Sequence, residues 1–574
     1  MKHSFLQKLR LIIANFSLRE RVVFLASLGL LAIGAFGGVT RLLELGTVSV
    51  PVFGGTYREA IIGSPRAINP VLATTDADRD LTALVYSGLV RIDATGTPIA
   101  DLAESWTISP DGKTYSFVLK PKLRFHDGTS LTTDDIAFTV SKIQDPALKS
   151  PLRVAFEGVT THITDVRTIE FTLEKPYAGF INQLTVGILP SHIWKDIPDD
   201  LWGTDTHATD AIGSGPYRIT AISRTKAGLP QTITLGAFRR FALGKPHIKT
   251  MIIDSYTSRM DARDTYDSGS VDALAAADST DADALADGNS QTVTSPLPRV
   301  FGLFMNPAKN KLFADASVVR AINLAIDRQA IIDAVFAGYA HPISGPLPHM
   351  TDTTPGDIAE KRALAAKTLD AAGWKLNPET NIREKKTTTG KTTSSEILSF
   401  SIATAGTPEL EKTADLIADQ LAQLGIRVEV KAFEIGALNA SVIRNRDFES
   451  LLFGEIIRHD TDLYAFWHSS QKSDPGLNIT GYASTRVDQL LESALHESDA
   501  VKRSGLYEQI RAELAKNASV AFLYAPDFIY LADRGIHHMI LPPIAVTSDR
   551  FGLIYQWYIE ENRVWRLFSS DQET

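Results

Sequence analysis

Residues 101–140 read DLAESWTISPDGKTYSFVLKPKLRFHDGTSLTTDDIAFTV, and the punctuation of this stretch decides how the chain folds around it. Ser105 to Ile108 and Thr114 to Leu119 are short runs of β-prone residues. Between them lies Pro110-Asp111-Gly112, in which proline presets φ and glycine accepts a positive one. A hairpin is predicted. His126-Asp127-Gly128 makes a second turn, after which Thr132 or Thr133 is placed to cap a helix. Asp134 and Asp135 fall in its first turn, where the positive end of the helix dipole favours carboxylates. Nothing in the stretch is catalytic by type or spacing.

Working outward, 574 residues are too many for one core, so two or three domains are expected. Hydrophobic content of 44% and charged content of 22% are those of globular protein. A formal net charge of −9 argues against nucleic acid as a partner, because phosphate backbones reward concentrated Lys and Arg. There is no cysteine. Disulfides, thiolate metal sites, cysteine nucleophiles and an acylated-cysteine lipid anchor are all excluded.

Residues 22–40 (VVFLASLGLLAIGAFGGVT) carry no charge. As a helix rising about 1.5 Å per residue they reach roughly 28 Å, close to the hydrocarbon thickness of a bilayer. Lys2, Lys8, Arg10, Arg19 and Arg21 precede the run and only Arg41 follows closely. The positive-inside rule then predicts a single-pass anchor in the cell membrane, with a cytoplasmic N-terminus and the rest of the chain extracellular or periplasmic. A cleaved signal peptide is the competing reading, with Gly34-Ala35 and Gly37-Gly38 as small residues near its end.

Further along, Ile397 to Ala403 reads as a strand, Thr407 caps a helix with Pro408 at its first position, and Gly425 ends it before a strand from Ile426 to Val430. Leu410, Ala414, Ile417, Leu421 and Leu424 form that helix's apolar stripe. This order predicts a mixed α/β domain with parallel pairing. Other pieces stand out by composition: ILPSHIW at 188–194, IGSGPYRI at 212–219, FGLFMN at 301–306, and a two-part helical run at 313–340.

The ordered set LAESW, DGKTYSF and FHDGTSLTTDD closely resembles the signature region of the family 5 extracellular solute-binding proteins, the peptide- and nickel-type receptors of ABC importers. The later pieces resemble the family in the same order. The resemblance implies a periplasmic-binding-protein-like class II fold: two α/β lobes and an extra small domain closing on a ligand. On that basis residues 1–21 are a cytoplasmic basic region, 22–40 the anchor, 51–86 with 209–298 and 525–574 the first lobe, 87–208 the small domain, and 299–524 the second lobe. It implies an oligopeptide or peptide-like ligand, permease subunits as partners, a monomer, and no cofactor or metal.

The implied ligand residues lie in three places. Tyr86 and Ser87 stand in a segment like the family's "YEGL", and Asn306 closes a strand expected beside the cleft. The third is GEIIRHDTDLYAFWHSSQ, 454–471, which resembles "GWxxDYxDPDxF" in the peptide-binding branch. There the first acid neutralises the peptide's α-ammonium group, and a buried cation left unpaired costs several kcal/mol. This chain departs from the pattern. Arg458 aligns with the anchoring acid and Glu455 replaces tryptophan, while Asp460 and Asp462 match the later acids. Glu455 or Asp460 is expected to take over the cation, or the ligand presents an acidic or neutral group to Arg458 and His459. Trp467 offers an aromatic face or fills the core.

A membrane-anchored extracellular hydrolase is the competing class. Its signatures are missing: the sequence holds no H-E-x-x-H, no G-x-S-x-G and no Walker loop, and His537-His538 lack a spaced partner. A receptor feeding a sensor rather than a transporter has the same sequence features as an importer's.

Overall fold

A computed structural model of the chain describes residues 16–565, apart from 178, 278, 286–288, 353–356, 390–391, 459, 475 and 498. The opening stretch forms the predicted hairpin: Ala103–Ile108 pairs antiparallel with Thr114–Leu119, with Ile108 opposite Tyr115. Gly112 takes φ +67° in the turn, a conformation that glycine enters without steric cost. Tyr115, Phe117 and Leu119 alternate inward, and Thr168–Thr172 and Thr160–Asp165 extend the hairpin to four strands. The predicted helix is Thr133–Gln144 with Thr132 as its N-cap. Asp135 does the capping work in reverse: one carboxylate oxygen accepts the Thr132 N–H at 2.9 Å and the other the Ser191 N–H at 3.0 Å. That second bond ties the ILPSHIW segment to the helix.

His126, in the turn between, holds the IGSGPYRI segment. Its Nε2 donates to the Gly215 carbonyl at 3.1 Å, and its Nδ1 accepts from the Gly213 N–H at 3.3 Å. Burial lowers its pKa to about 4, so the ring is neutral with the proton on Nε2. Gly213 and Gly215 are needed for close approach: a Cβ at either would fall 2.1–2.6 Å from backbone atoms of Val85.

A twelve-stranded mixed sheet carries the rest. Its order across the main path is Arg427–Phe433, Ser399–Ala405, Ser450–Ile456, Arg299–Met305, Val520–Asp533, Ala273–Ala277, Gly54–Ile62, Ile248–Tyr256, Pro230–Ala237 and Tyr217–Arg224. The parallel pairing expected in the 397–430 region is present between Ser399–Ala405 and Arg427–Phe433. One strand belongs to both halves of the sheet. Val520 to Tyr524 pair with Arg299–Met305, whereas Asp527 to Asp533 pair with Ser290–Pro296. Pro526 and Asp527, both only half-buried in an otherwise buried run, mark the crossing. Proline fits there because it has no N–H to leave unpaired as the ladder changes partners.

The buried cores divide at the same place. Two clusters draw their buried members from before residue 299 and after 527, and one of these also packs the 103–208 region. The other two, on opposite faces of the second half-sheet, draw theirs from residues 300–525. In the first half, Arg550 is wholly buried between Glu59 (2.8 Å) and Asp80 (2.7 Å), and Tyr530 Oη donates to Glu59 at 2.6 Å.

At the N-terminus a helix runs unbroken from Leu18 to Gly46, and the described side chains Val22, Val23, Leu25, Leu28, Leu30 and Leu31 stand exposed along it. Most side chains from residue 32 to 46 lie outside the described ones, so the predicted span 22–40 is only partly covered. Among the described residues no helix is long and apolar enough to cross a membrane. Thr47–Val52 follows directly and pairs antiparallel with Glu560–Trp565.

Candidate ligand site between the two half-sheets

The chain crosses between the half-sheets at residues 296–299 and 524–527, and Ser450–Ile456 ends beside that crossing. Glu455 is opposite Val300, and the next N–H but one, of Ile457, donates to the Pro298 carbonyl at 2.8 Å. Glu455 is 3% exposed, its Oε2 has no hydrogen-bond partner, and burial alone pushes its carboxyl well above the usual range. Along the other edge of this strand the neighbour Ser399–Ala405 is in register only at Ser450 and Leu451. The Leu452 carbonyl on that edge accepts from Thr404 Oγ1 at 3.1 Å, and from Phe453 to Ile456 the edge meets no described strand.

The loop after the strand reaches toward the first half. The Arg458 N–H donates to Asp462 Oδ2 at 3.0 Å, and the Arg458 charge acts on Asp549. Burial raises Asp549, while N–H groups of Ala545 and Val546 (2.8 Å each) and Arg458 hold it down; the balance is about 6. Asp460 and Asp462 gather with Tyr507 and Arg503. Burial first, then the charge of Asp460, raises the Tyr507 hydroxyl, which has no hydrogen-bond partner. Tyr177, from the region around the hairpin, also feels Asp462.

The remaining predicted residues are placed otherwise. Tyr86 is buried against Gly187 and Gly213, with its hydroxyl unpartnered. Ser87 is buried, with its Oγ 3.5 Å from the Ser214 carbonyl. Asn306 is committed to a turn of its own half: Oδ1 accepts from Ala308 at 3.0 Å and Nδ2 donates to the Arg446 carbonyl at 3.2 Å. Trp467 is 1% exposed and packs on Phe522 and Tyr482 in the core, so its ring face is covered. His459 lies outside the described residues. Asp549, Tyr177, Arg503 and Tyr507 were missed by sequence reasoning, since each comes to the site from a separate element and no spacing links them. Two surface depressions, one of about 430 Å³ between helices Thr485–His496 and Ala500–Asn517 and one of about 140 Å³ beside Tyr266 and Asp533, are lined by none of these residues. Among the described residues no group of three or more His, Asp or Glu is arranged to hold a metal.

Two half-sheets joined by crossing segments, with polar side chains converging beside the crossing, define a two-lobed ligand-binding protein. The chain belongs to family 5 of the bacterial extracellular solute-binding proteins, whose middle-region model matches residues 97–475. It is therefore a substrate-binding protein of the peptide/nickel ABC-importer class and not an enzyme. The oligopeptide-binding protein AppA of Bacillus subtilis is 28% identical over 494 residues, covering 84% of this chain and 86% of that protein. The probable D,D-dipeptide-binding periplasmic protein DdpA of Escherichia coli is 24% identical over 499 residues, 84% of this chain and 90% of its own length. The crystal structure of B. subtilis AppA with a nonapeptide superposes with a TM-score of 0.58 at 26% identity, covering 89% of this chain and all of that one. NikZ of Campylobacter jejuni, in complex with Ni(L-His), has the same fold, with a TM-score of 0.61 at 24% identity, covering 88% of this chain and 99% of that one.

Proposed function

We propose that this protein captures oligopeptides, or solutes shaped like them, between its two lobes and delivers them to a permease from the outer face of the membrane. The lobes are those whose cores separate at residue 299 and after 525, with 87–208 as a smaller unit attached to the first. The observation that carries the reading is the strand edge from Phe453 to Ile456, which meets no described strand beside the crossing. An extended backbone adds to such an edge by main-chain hydrogen bonds, which give affinity without demanding one side chain.

Glu455 supplies the counter-charge for a ligand ammonium group. A buried carboxyl without a partner is costly in the empty protein, and that cost is relieved when a cation arrives. Arg458 does not undo this, because burial alone accounts for the raised Glu455 carboxyl and no neighbouring cation offsets it. Asp460 and Asp462 line the mouth of the same site. The AppA relative's description as oligopeptide-binding agrees with this reading.

The long N-terminal helix anchors the receptor to the membrane. Support comes from the uncharged run 22–40, the basic residues before it, and the exposed leucines and valines of its first turns. Anchoring holds the receptor at a high effective concentration near its permease.

Isothermal titration with a pool of short peptides tests the ligand class. Peptides with a free amino terminus are expected to bind, and their N-acetylated forms to bind at least about tenfold more weakly. Equal binding of both forms removes Glu455 from the role, and no binding of any peptide removes the peptide reading.

A further inference from the structure

Where the N-terminal helix passes into the ribbon that joins it to the body, the opposite strand carries a tryptophan. Thr47 directly follows Gly46, the last helical residue, and its partner across the ribbon is Trp565. The chain has seven tryptophans; five are fully buried, Trp106 is half-buried, and Trp565 is 49% exposed. By the two-residue period of a strand, Trp565, Arg563 and Glu561 share one face of the ribbon with Thr47, Ser49 and Pro51. All of these but Thr47 are exposed, whereas on the other face Val48, Val50, Val52 and Val564 are partly covered and only Asn562 and Glu560 are exposed. Away from the helix end, the open face therefore reads aromatic, cationic, anionic.

This order matches the polarity of a lipid surface. An indole prefers the headgroup level, where its ring is sheltered and its N–H stays wet. A guanidinium two residues farther out meets phosphates bidentately. Glu561 comes next on that face, roughly 13 Å from the ribbon's start at about 3.3 Å per residue, clear of anionic headgroups. Continuity with the helix chooses the occupant: past the uncharged run that ends at Thr40, the helix continues only through Arg41 to Gly46, about 9 Å, before the ribbon begins.

We propose that the helix-proximal end of this face, Trp565 followed by Arg563, sits at the surface of the bilayer from which the helix emerges, with Trp565 at headgroup level and the ribbon rising away from it. The proposal rests on the anchor reading above. The receptor then touches the membrane at two points and is held at a stand-off set by a ribbon of about 17 Å, six residues long. Such a mount limits the orientations that the cleft presents to a membrane-embedded partner.

The test uses the full chain reconstituted in phosphatidylcholine vesicles containing phosphatidylglycerol and a lipid spin-labelled near the headgroup end of its acyl chain. The spin label is expected to quench part of the wild-type tryptophan emission, and W565F to lose most of that quenchable part while its circular dichroism is unchanged. Retention of all lipid-quenchable emission in W565F overturns the proposal. So does quenching of Trp565 in the bound protein by aqueous iodide but not by the lipid label. A doubled mass by light scattering, with Trp565 shielded from both quenchers, assigns the face to a second copy and also overturns it. Failure of the anchor reading is read separately: a chain that washes off the vesicles in alkaline carbonate has no anchor, whatever its fluorescence.

Discussion

At the scale of single residues, Glu455 and His126 are two buried titratable groups with opposite consequences. Burial raises Glu455, so the folded state holds its proton more tightly than the unfolded chain does. The stability this contributes is complete below the ordinary carboxylate range and is lost as pH rises toward the elevated folded value. E455Q, which has no proton to lose, is expected to match the wild type in acid and to become the more stable protein toward neutral pH. The gap is expected to grow by at most about 1.4 kcal/mol per pH unit, measured by urea unfolding. The same variant is expected to lose peptide affinity, and a variant weaker on both counts contradicts the assignment. His126 behaves in the other sense. Its folded value near 4 lies below its ordinary 6.5, so its contribution is complete above pH 6.5 and is lost as pH falls toward 4. H126L leaves the Gly213 N–H and Gly215 carbonyl without their partner, at an expected cost of about 1–3 kcal/mol at pH 7.5 that narrows on acidification.

Between elements, the first lobe is closed by its own last segment. Arg550 enters from residues 547–556 and pairs with Glu59 of a central strand and Asp80 of the helix Asp76–Val85. Tyr57 and Tyr530 add hydroxyl contacts to Glu59. Removing one partner from a buried ionic cluster strands the others, which typically costs about 3–5 kcal/mol. R550M is expected to lower the unfolding free energy by that order. Calorimetry is expected to show the loss in the lobe that holds residues 54–62, with peptide binding surviving wherever the protein remains folded. A loss below about 1 kcal/mol would mean that the carboxyls are protonated and the cluster is not ionic. The start of Thr133–Gln144 was legible as a pattern of Thr and Asp, because caps depend on neighbours three residues apart, although the expected Thr cap is made by the Asp135 carboxylate accepting the Thr132 N–H. The Arg550 cluster was not, since its members are separated by hundreds of residues.

For the whole molecule, the shared strand Val520–Asp533 is the mechanical link, and Pro526-Asp527 is where its pairing changes hands. Closure about these crossing segments is expected to reduce the radius of gyration when a peptide binds, as read by small-angle scattering of the chain in detergent. An unchanged profile at saturating peptide would mean that the lobes do not move relative to each other. The Arg458 charge acts on Asp549 from the far side of the same gap, so binding is expected to weaken modestly in R458A, with Asp549 titrating above its present value near 6.

The sequence by itself determined the local pieces: the hairpin at 103–119, the capped helix after it, the parallel strand–helix–strand at 399–433, and a family resemblance that the match over residues 97–475 confirmed. These rest on contacts within a few residues, so spacing and turn chemistry suffice to read them. Only the tertiary structure decided that Asn306 and Trp467 serve their own half, that Glu455 is buried without a partner, and that Trp565 stands beside the end of the N-terminal helix. Burial and partnership are set by what arrives from distant parts of the chain, and no local pattern of residues carries that information.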